Sequence, residues 1–299
     1  MKDILIIGSG PAGLSASVYA KRANLDVLVA EKEFMGTGQI AESARVDNYL
    51  GLAGKSGYDL GEIFRTDAEN AGVDFYEGEA VKITHKDNFW LTEFDNGEVI
   101  EAKAVIYAAG TSHRNLNVPG EEKFIGSGVS FCALCDGSLY GGKTAAVIGG
   151  GDTALDDALY LSDIAAKVYL IHRRNEFRGS PKTVEKVLAK ANIEAVLSET
   201  VAEIIGDDRI EAVRLGSGKT LDVDGVFVAI GMTPKTELLK GIAKLDEYGY
   251  AVADESCVTN ADGLFVAGDV RTKRLRQVVT AVSDGANAAV SAIGRQKEI

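Results

Sequence analysis

Cysteine, proline, histidine and tryptophan are all scarce in this chain of 299 residues, which has three Cys, four Pro, three His and one Trp. Three cysteines in so long a chain exclude a small secreted domain held together by disulfides. No apolar run approaches the roughly 18–20 residues that a membrane helix needs. The opening segment MKDILIIGSG lacks the longer apolar region of a secretory signal. A cytosolic protein without a membrane partner is therefore expected.

Basic residues are also in deficit. The chain has 32 Lys and Arg against 44 Asp and Glu, which gives a formal net charge of −12. Such a surface repels phosphate backbones, so nucleic acid is not an expected partner. Hydrophobic residues make up 46% and glycine is abundant at 34 residues. This composition is typical of a globular protein rich in tight turns, long enough for one large core or two ordinary ones.

One strand–turn–helix–strand pattern occurs twice. It is DILIIG, PAGLSASVYAKRANL and DVLVAEK near the start, and KTAAVIGGGDTALDDALYLSDIAAKVYLIHRR in the middle. Such units form parallel sheets covered by helices. The duplication predicts an α/β fold with two Rossmann-like nucleotide-binding domains. Between the units, FDNGEV predicts a hairpin turn, because Asn-Gly readily supplies two positive φ angles.

The first glycine turn follows the pattern Gly8-x-Gly10-x-x-Gly13. In this fingerprint the first Gly makes the tight turn, the second lets the backbone approach a pyrophosphate, and the third lets helix and strand pack closely. Glu31 ends the next strand, where an acid can bind a ribose hydroxyl. The alternative is a glycine turn without a ligand. The candidate residues of this site are Gly8, Ser9, Gly10, Pro11, Ala12, Gly13 and Glu31.

The second glycine turn is Gly149-x-Gly151-x-x-Ala154, and the strand after it ends in HRRNEFR rather than in an acid. Arginines at that point suit a 2′-phosphate and predict NADPH rather than NADH. The alternative is a solvated basic turn, and His172 alone is more typical of a packing residue than of a proton donor. The candidate residues are Gly149, Gly150, Gly151, Asp152, Thr153, Ala154, His172, Arg173, Arg174 and Arg178.

Cys132 and Cys135 form a CxxC pair in FCALCDG, which could be half a zinc site, a structural staple or a redox pair. Zinc needs four ligands, and neither Cys257 nor the scattered histidines supply a second pair, so no metal is predicted. A redox pair fits the two nucleotide units. NADPH delivers a hydride, and a flavin can accept it and pass two electrons to a disulfide. FAD in the first unit and NADPH in the second are the predicted cofactors.

Several segments resemble the low-molecular-weight thioredoxin reductases, a class of pyridine nucleotide-disulfide oxidoreductases: CALCDG, VIGGGDTALDDALYLS, HRRNEFR, GLFVAGDV and RQVVTAVSDGANAA. The resemblance covers nearly the whole chain. It implies a discontinuous FAD domain of three-layer ββα type, residues 1–112 plus 241–299. An NADPH domain of the same type, residues 113–240, is inserted into it and carries the CxxC.

The resemblance also implies the chemistry. Electrons would pass from NADPH through FAD and the Cys132–Cys135 disulfide to thioredoxin or a thioredoxin-like protein, in a homodimer. Cys135 would lie nearest the flavin, Cys132 would meet the substrate, and Asp136 would protonate a leaving thiolate. The alternative for Asp136 is a helix N-cap or turn residue.

Further FAD-binding residues follow from the resemblance alone. Asp269 would contact the ribityl–phosphate region, and Arg276 would open a helix whose N-terminus faces the flavin. Thr37 is inserted before Gln39, a departure from the family pattern. Of the other basic residues near Arg276, Arg271, Lys273 and Arg274 are expected on a surface loop, and Cys257 is expected to be buried. The implied contacts are Lys32, Gln39, Asn48, Gly110, Gly268, Asp269, Arg276, Gln277 and Val278.

Two other functions remain open. The first is a reductase of the same fold that takes electrons from ferredoxin or NADH, or that reduces another protein disulfide. The second is a non-catalytic flavin redox sensor. HRRNEFR disfavours the ferredoxin route, which needs no pyridine nucleotide site, and the CxxC with its acid disfavours the sensor.

Overall fold

The computed structural model describes residues 1–33, 37–43 and 45–298. The chain divides into two compact units. Unit 1 comprises Met1–Ala41, Tyr49–Ser112 and Thr233–Ile299, and unit 2 comprises Glu42–Asn48 and His113–Met232. Unit 2 is thus inserted into unit 1. Within the described ranges, no helix is long and apolar enough to cross a membrane.

The elements run as follows in chain order. The first part has β1 (Lys2–Ile7), α1 (Pro11–Arg22), β2 (Val27–Glu31), α2 (Gly57–Asn70), β3 (Asp74–Glu77), β4 (Ala80–Lys86), β5 (Phe89–Phe94), β6 (Val99–Tyr107) and β7 (Thr111–His113). The middle has α3 (Glu121–Phe124), β8 (Val129–Ser130), α4 (Ala133–Asp136), β9 (Thr144–Ile148), α5 (Asp152–Ser162), β10 (Lys167–His172), α6 (Pro181–Ala189), β11 (Ile193–Leu197), β12 (Val201–Gly206), β13 (Ile210–Leu215), β14 (Thr220–Asp222) and β15 (Gly225–Val228). The last part has β16 (Met232–Pro234), β17 (Leu264–Val266) and α7 (Val278–Glu298).

The main sheet of unit 1 has seven strands in the order β3-β2-β1-β6-β5-β4, with β17 also paired to β6. Alternate residues of β1 serve opposite faces, as a strand requires. Ile4 and Ile6 lie in the cluster that includes α1 and α7, whereas Leu5 and Ile7 pack with Trp90 of β5. Both faces are buried, and this explains the unbroken apolar run of β1.

Unit 2 repeats the arrangement with a parallel sheet in the order β11-β10-β9-β15-β8 and an antiparallel sheet of β12, β13 and β14. Ala145 and Val147 of β9 pack with α5, whereas Ala146 and Ile148 pack on the side of the antiparallel strands. The predicted α/β class with two Rossmann-like domains is confirmed.

The predicted hairpin joins β5 and β6, which pair antiparallel. Its turn differs in detail from the prediction. Of the Asn-Gly pair, only Gly97 has a positive φ, at 86°. Asn96 instead uses its side chain, accepting a hydrogen bond from the Glu98 N–H at 2.9 Å and donating to the Tyr76 hydroxyl. The turn is therefore stabilised by hydrogen bonds of the Asn96 side chain, and Asn96 does not adopt the positive φ that was predicted for it.

Residues 233–240, assigned from the sequence to the inserted domain, group with unit 1. The physical reason is local packing. Lys235 accepts a hydrogen bond from the Tyr107 hydroxyl at 2.8 Å and donates its N–H to Gly110 at 3.0 Å. Leu239 is fully buried in the cluster that contains Trp90. The short segment Glu42–Asn48, assigned from the sequence to the first domain, groups with unit 2.

Candidate active site

The first glycine turn connects β1 to α1 and leaves no room for side chains at its ends. Gly8 has a φ of 109°, and a Cβ there would lie 2.5 Å from the Ala108 carbonyl oxygen. A Cβ on Gly13 would lie 1.9 Å from the Gly8 carbonyl oxygen. Both glycines are therefore required by the protein itself, for the turn and for close helix–strand packing.

Gly10 differs from its two partners. Its φ of −70° and ψ of 178° are open to any residue, and among the described residues a Cβ there would meet nothing nearer than Thr37 O at 3.8 Å. Gly10 is also the N-cap of α1, and no side chain caps the helix. The uncapped N–H groups at the start of α1 and the absence of a side chain at Gly10 suit a phosphate group.

Glu31 lies at the end of β2 as predicted, but its carboxylate is buried in an ion pair. Arg65 donates to both Glu31 oxygens, at 2.8 and 2.7 Å, and its guanidinium lies 3.3 Å from the centre of the Phe75 ring. A carboxylate offers about four acceptor sites, so Glu31 keeps capacity for ribose hydroxyls. Lys32 pairs with Glu79 on the surface.

Asp269 lies in the turn Gly268–Val270, directly after β17. Its Oδ1 atom is buried and has no hydrogen-bond partner within the part of the chain that the structure describes. Burial raises the pKa of this carboxyl, opposed by the positive charges of Lys273 and Arg276. A buried acceptor without a donor is costly unless a ligand supplies one.

The other residues implied for FAD have varied environments. Arg276 donates to the carbonyl oxygens of Asp269 and Arg271, and its guanidinium stacks over the Tyr250 ring. These contacts stabilise the loop to which Arg276 belongs. Gln39 accepts from the Thr111 hydroxyl at 3.3 Å. The remaining positions stand as follows: Gly110 has a φ of 69°, Asn48 is exposed and belongs to unit 2, Gln277 precedes the helix, and Val278 begins α7.

The inserted Thr37 is buried against α2. A Cβ on Gly61 would lie 2.5 Å from the Thr37 hydroxyl oxygen, so the two residues pack in close contact. This packing places the extra residue inside unit 1 rather than on its surface.

The second glycine turn connects β9 to α5. As in the first turn, close packing requires some of its glycines but not all of them. A Cβ on Gly149 would lie 2.3 Å from the Ala229 carbonyl oxygen, and one on Gly150 would lie 2.2 Å from His172 Nδ1. A Cβ on Gly151 would meet no atom of the described part of the chain within 4 Å, and its φ of −96° is ordinary. Gly151 therefore corresponds to Gly10: neither the backbone nor the packing requires a glycine there.

The residues around this turn differ in exposure. His172 is buried, burial and the nearby arginines lower its pKa, and its Nε2 has no partner among the described residues. Asp152 opens α5 and accepts from the Ser180 N–H at 2.7 Å, and Thr153 is exposed beside it. The arginines that follow β10 are exposed, and none forms an ion pair with a described residue: Arg173, Arg174 and Arg178.

Cys132 and Cys135 are joined as a disulfide at the start of α4. Cys132 is the N-cap of this short helix, and its Sγ accepts a hydrogen bond from the Cys135 N–H at 3.1 Å. Such a donor would favour the thiolate form of Cys132 once the disulfide is reduced.

Asp136 ends α4, and its side chain caps no helix. Its Oδ2 instead accepts a hydrogen bond from the Ser130 hydroxyl at 2.6 Å, while Oδ1 is buried without a partner among the described residues. Burial raises the pKa of this carboxyl, and the hydroxyls of Ser130 and Ser43 oppose that rise. A carboxyl of this kind can hold a proton closer to neutral pH than an exposed one.

Ser130 is a site residue that was not predicted from the sequence. Its hydroxyl joins both parts of the site, because it donates to Asp136 and accepts the Cys132 N–H at 3.1 Å. The only signal was a small polar residue two positions before the CxxC. His113 stacks on Phe131 at 4.2 Å, and burial lowers its pKa to about 4. It is therefore neutral and is no acid near pH 7.

Within the described part of the chain, no group of three or more His, Cys, Asp or Glu is placed to hold a metal ion. Cys257 is fully buried, as expected from the sequence, and burial raises its pKa to about 12. Cys257 therefore differs from Cys132 and Cys135, which are joined as a disulfide.

Comparisons with known proteins agree with this arrangement. Residues 2–285 match the pyridine nucleotide-disulphide oxidoreductase family. The chain is 38% identical over 289 residues to a thioredoxin reductase of Listeria innocua serovar 6a, covering 95% of this chain and 90% of that protein. It is 39% identical over 295 residues to a thioredoxin reductase of Mycoplasma genitalium, covering 96% and 92%.

Among solved structures, the thioredoxin reductase of Streptococcus pyogenes is similar with a TM-score of 0.95 at 35% identity, covering 100% of this chain and 99% of that one. The chain therefore belongs to the pyridine nucleotide-disulphide oxidoreductases, a family of redox enzymes, and within them to the low-molecular-weight thioredoxin reductases. The family resemblance predicted from the sequence motifs is confirmed. Membership implies the use of a flavin and a pyridine nucleotide.

Proposed function

We propose that the protein is an NADPH-dependent FAD thioredoxin-disulfide reductase. Unit 1 is the FAD domain, and unit 2 is the NADPH domain that carries the redox disulfide. The observation that carries the proposal is the Cys132–Cys135 disulfide beside a buried carboxyl, in the same unit as a nucleotide-type glycine turn. Named relatives that are thioredoxin reductases support thioredoxin or a thioredoxin-like protein as the substrate. Family resemblance is the support for a homodimer, and the cytoplasmic setting stays a prediction from the sequence.

The residues of unit 1 fit FAD. The space beside Gly10 and the uncapped start of α1 suit its pyrophosphate, and Asp269 Oδ1, which accepts no hydrogen bond from a described residue, suits a hydroxyl donor. Glu31 has acceptor capacity for a ribose. A bound flavin would supply a two-electron carrier between the pyridine nucleotide and the disulfide.

The residues of unit 2 fit NADPH. Gly151 leaves open space at the start of α5, and this helix also lacks a side-chain cap. Arg173, Arg174 and Arg178 present exposed guanidinium groups after β10, where a 2′-phosphate would lie. Planar guanidinium groups bind phosphate oxygens with charge-assisted hydrogen bonds.

The reduced cysteines carry out thiol–disulfide exchange. The Cys132 thiolate attacks one sulfur of the substrate disulfide, and the second substrate sulfur leaves as a thiolate. Asp136 gives that thiolate a proton. The Cys135 thiolate then attacks Cys132 in the mixed disulfide, which re-forms Cys132–Cys135 and releases the first substrate sulfur as a thiolate that takes its proton from solvent. Two electrons pass to the substrate, which becomes a dithiol.

The choice of electron donor tests the proposal directly. NADPH, NADH and reduced ferredoxin should each be supplied with several thioredoxin-like disulfide proteins, and NADPH should support by far the fastest turnover. Faster turnover with NADH or ferredoxin would favour the corresponding alternative reductase. Absence of turnover with every disulfide protein would favour a flavin redox sensor.

Replacing Arg173 and Arg174 by Gln should remove the preference for NADPH. Losing a charged hydrogen bond costs about 1.5–3 kcal/mol, which corresponds to roughly a ten- to hundredfold rise in the KM for NADPH. The KM for NADH should hardly change, because NADH has no 2′-phosphate. Arg209→Gln, an exposed arginine elsewhere in unit 2, is the matched control. An equal rise in KM for both nucleotides would contradict this role.

Ser130→Ala should shift the pH dependence of disulfide reduction. The Ser130 hydroxyl stabilises the Asp136 carboxylate, so its loss should raise the pKa of Asp136. Activity that needs protonated Asp136 should then persist to higher pH. The Tyr140 hydroxyl, which interacts with the charge of Asp136, should not contribute to this pH dependence near neutral pH, since burial raises its pKa to about 12.

The measurement is the pH profile of kcat. Ser130→Thr keeps the hydroxyl and should restore the wild-type profile, while Ser138→Ala, on the exposed residue after Gly137, is the control. An unchanged alkaline limb in Ser130→Ala would show that Ser130 does not act on Asp136.

A further inference from the structure

The segment after β17 is built around one buried carboxylate from α7. Asp284 is 1% exposed, and its Oδ2 accepts hydrogen bonds from Gly268 N at 3.0 Å, Arg271 Nε at 2.8 Å and Lys273 Nζ at 2.9 Å. Its Oδ1 accepts from a terminal nitrogen of Arg271 at 2.6 Å. Asp284 therefore accepts four hydrogen bonds from residues 268–273, three on Oδ2 and one on Oδ1.

The sequence had predicted a basic surface loop here, and for Arg271 and Lys273 that prediction is wrong. The side chains of Arg271 and Lys273 are 2% and 5% exposed. Arg274, the next residue, is exposed as predicted. A charged side chain is rarely buried unless it is paired. The pairing with Asp284 is the physical reason for the difference.

Lys273 also faces the implied flavin site. Its Nζ lies 4.0 Å from Asp269 Oδ1, the buried oxygen that has no hydrogen-bond partner among the described residues. Lys273 is thus held on one side by Asp284 and stands next to Asp269 on the other. Its charge opposes the rise in the pKa of Asp269 that burial causes.

The turn that Asp284 anchors lies against the first glycine turn. Gly268 has a φ of 81°, and a Cβ there would lie 2.9 Å from the Ala12 Cβ, in the first turn of α1. Nearby, a Cβ on Gly285 would lie 2.0 Å from the Ala12 carbonyl oxygen, so α7 and α1 are in close contact. Asp284 therefore fixes the turn of Asp269 relative to the segment that would hold the pyrophosphate.

We infer that Asp284 and Lys273 are positioning residues for flavin binding. Asp284 holds the Gly268–Val270 turn in place, and Lys273 holds the Asp269 carboxylate ready for a hydroxyl donor of the flavin. This inference rests on the proposed assignment of FAD to unit 1. Neither residue needs to touch the cofactor, because both act through Asp269.

Lys273→Met tests this role, with Arg274→Met in the same loop as the matched control. The dissociation constant of FAD from the apoprotein should rise roughly ten- to hundredfold for Lys273→Met, as expected when a charged contact is lost. It should change by less than about twofold for Arg274→Met. Flavin fluorescence on titration of the apoprotein gives both values without any activity assay.

A double-mutant cycle with Asp269→Asn distinguishes positioning from general stabilisation. If Lys273 acts through the Asp269 carboxylate, Lys273→Met should weaken FAD binding by no more than about twofold further in the Asp269→Asn background. An equal loss in both backgrounds would overturn the role of Lys273.

Asp284→Asn should raise the FAD dissociation constant as well, at least as strongly as Lys273→Met. Thermal unfolding of the apoprotein shows whether this variant is folded. Folded Asp284→Asn or Lys273→Met protein that binds FAD like wild type would overturn the inference and leave the proposed function intact. Failure of the wild-type apoprotein to bind FAD would overturn both.

Discussion

Replacing either Cys132 or Cys135 by Ser is expected to reduce disulfide reductase activity by on the order of a thousandfold or more. Exchange needs one thiol to attack the substrate and a second to resolve the mixed disulfide, so neither cysteine can act alone. The two form a disulfide in the structure. Steady-state reduction of a thioredoxin-like protein by NADPH measures the loss.

The two variants should fail differently. The Cys135 N–H donates to Cys132 Sγ, which favours Cys132 as the attacking thiolate. Cys135→Ser should therefore accumulate a covalent mixed disulfide with the substrate, since the resolving thiol is missing. Cys132→Ser should not, because its remaining thiol is the resolving one. Intact-protein mass spectrometry after mixing reduced variant with oxidised substrate detects the adduct.

Cys257→Ser is the control for loss of one cysteine. Cys257 is fully buried, and burial raises its pKa to about 12, so it cannot meet a protein substrate as a thiolate. This variant should keep its reductase activity. An adduct in Cys132→Ser but not in Cys135→Ser would reverse the order of the pair. Wild-type turnover by either single variant would exclude the CxxC as the catalytic centre.

The sequence predicted the features that local geometry determines. Gly8, Gly13 and Gly149 are required by the turn or by close packing, and a glycine spacing records such requirements directly. The apolar run of β1 likewise recorded a strand buried on both faces. The two strand–turn–helix–strand units could therefore be placed from the sequence.

Features that depend on distant partners were not predictable. Glu31 is paired with Arg65, which is 34 residues away in the chain. Lys273 lies in a basic stretch that looks like a surface loop, and only the fold brings Asp284 to it. In hindsight, the signal was an acid, Asp284, among the small and apolar residues of the first half of α7. Such a residue needs a buried partner, but the sequence does not say which one.

The predicted end of the inserted domain at residue 240 depended on neither local geometry nor a distant charged partner. It was carried over from a family resemblance, whereas the grouping of residues 233–240 depends on contacts such as that of Leu239 with the core of unit 1. Family motifs located the second domain. Side-chain packing, which no short motif encodes, decided where the chain leaves it.

Gly10→Val should yield colourless protein, with FAD affinity reduced by on the order of a hundredfold or more. An overpacked contact costs about 1–3 kcal/mol, and displaced phosphate would also lose charge-assisted hydrogen bonds from the start of α1. The substitution should not disturb the fold itself. Gly10 has an extended conformation that Val readily adopts, and its Cβ would meet no atom of the residues that the structure describes nearer than 3.8 Å.

Gly151→Val is the reciprocal control, because Gly151 occupies the same place in the second glycine turn and also has open space for a Cβ. It should remain yellow, with wild-type flavin content, and lose affinity for NADPH instead. Flavin content by absorbance and NADPH binding by titration separate the two variants. If Gly10→Val retained its full flavin content, the assignment of the first glycine turn to the FAD site would be wrong. Loss of flavin from Gly151→Val but not from Gly10→Val would exchange the cofactors between the two units.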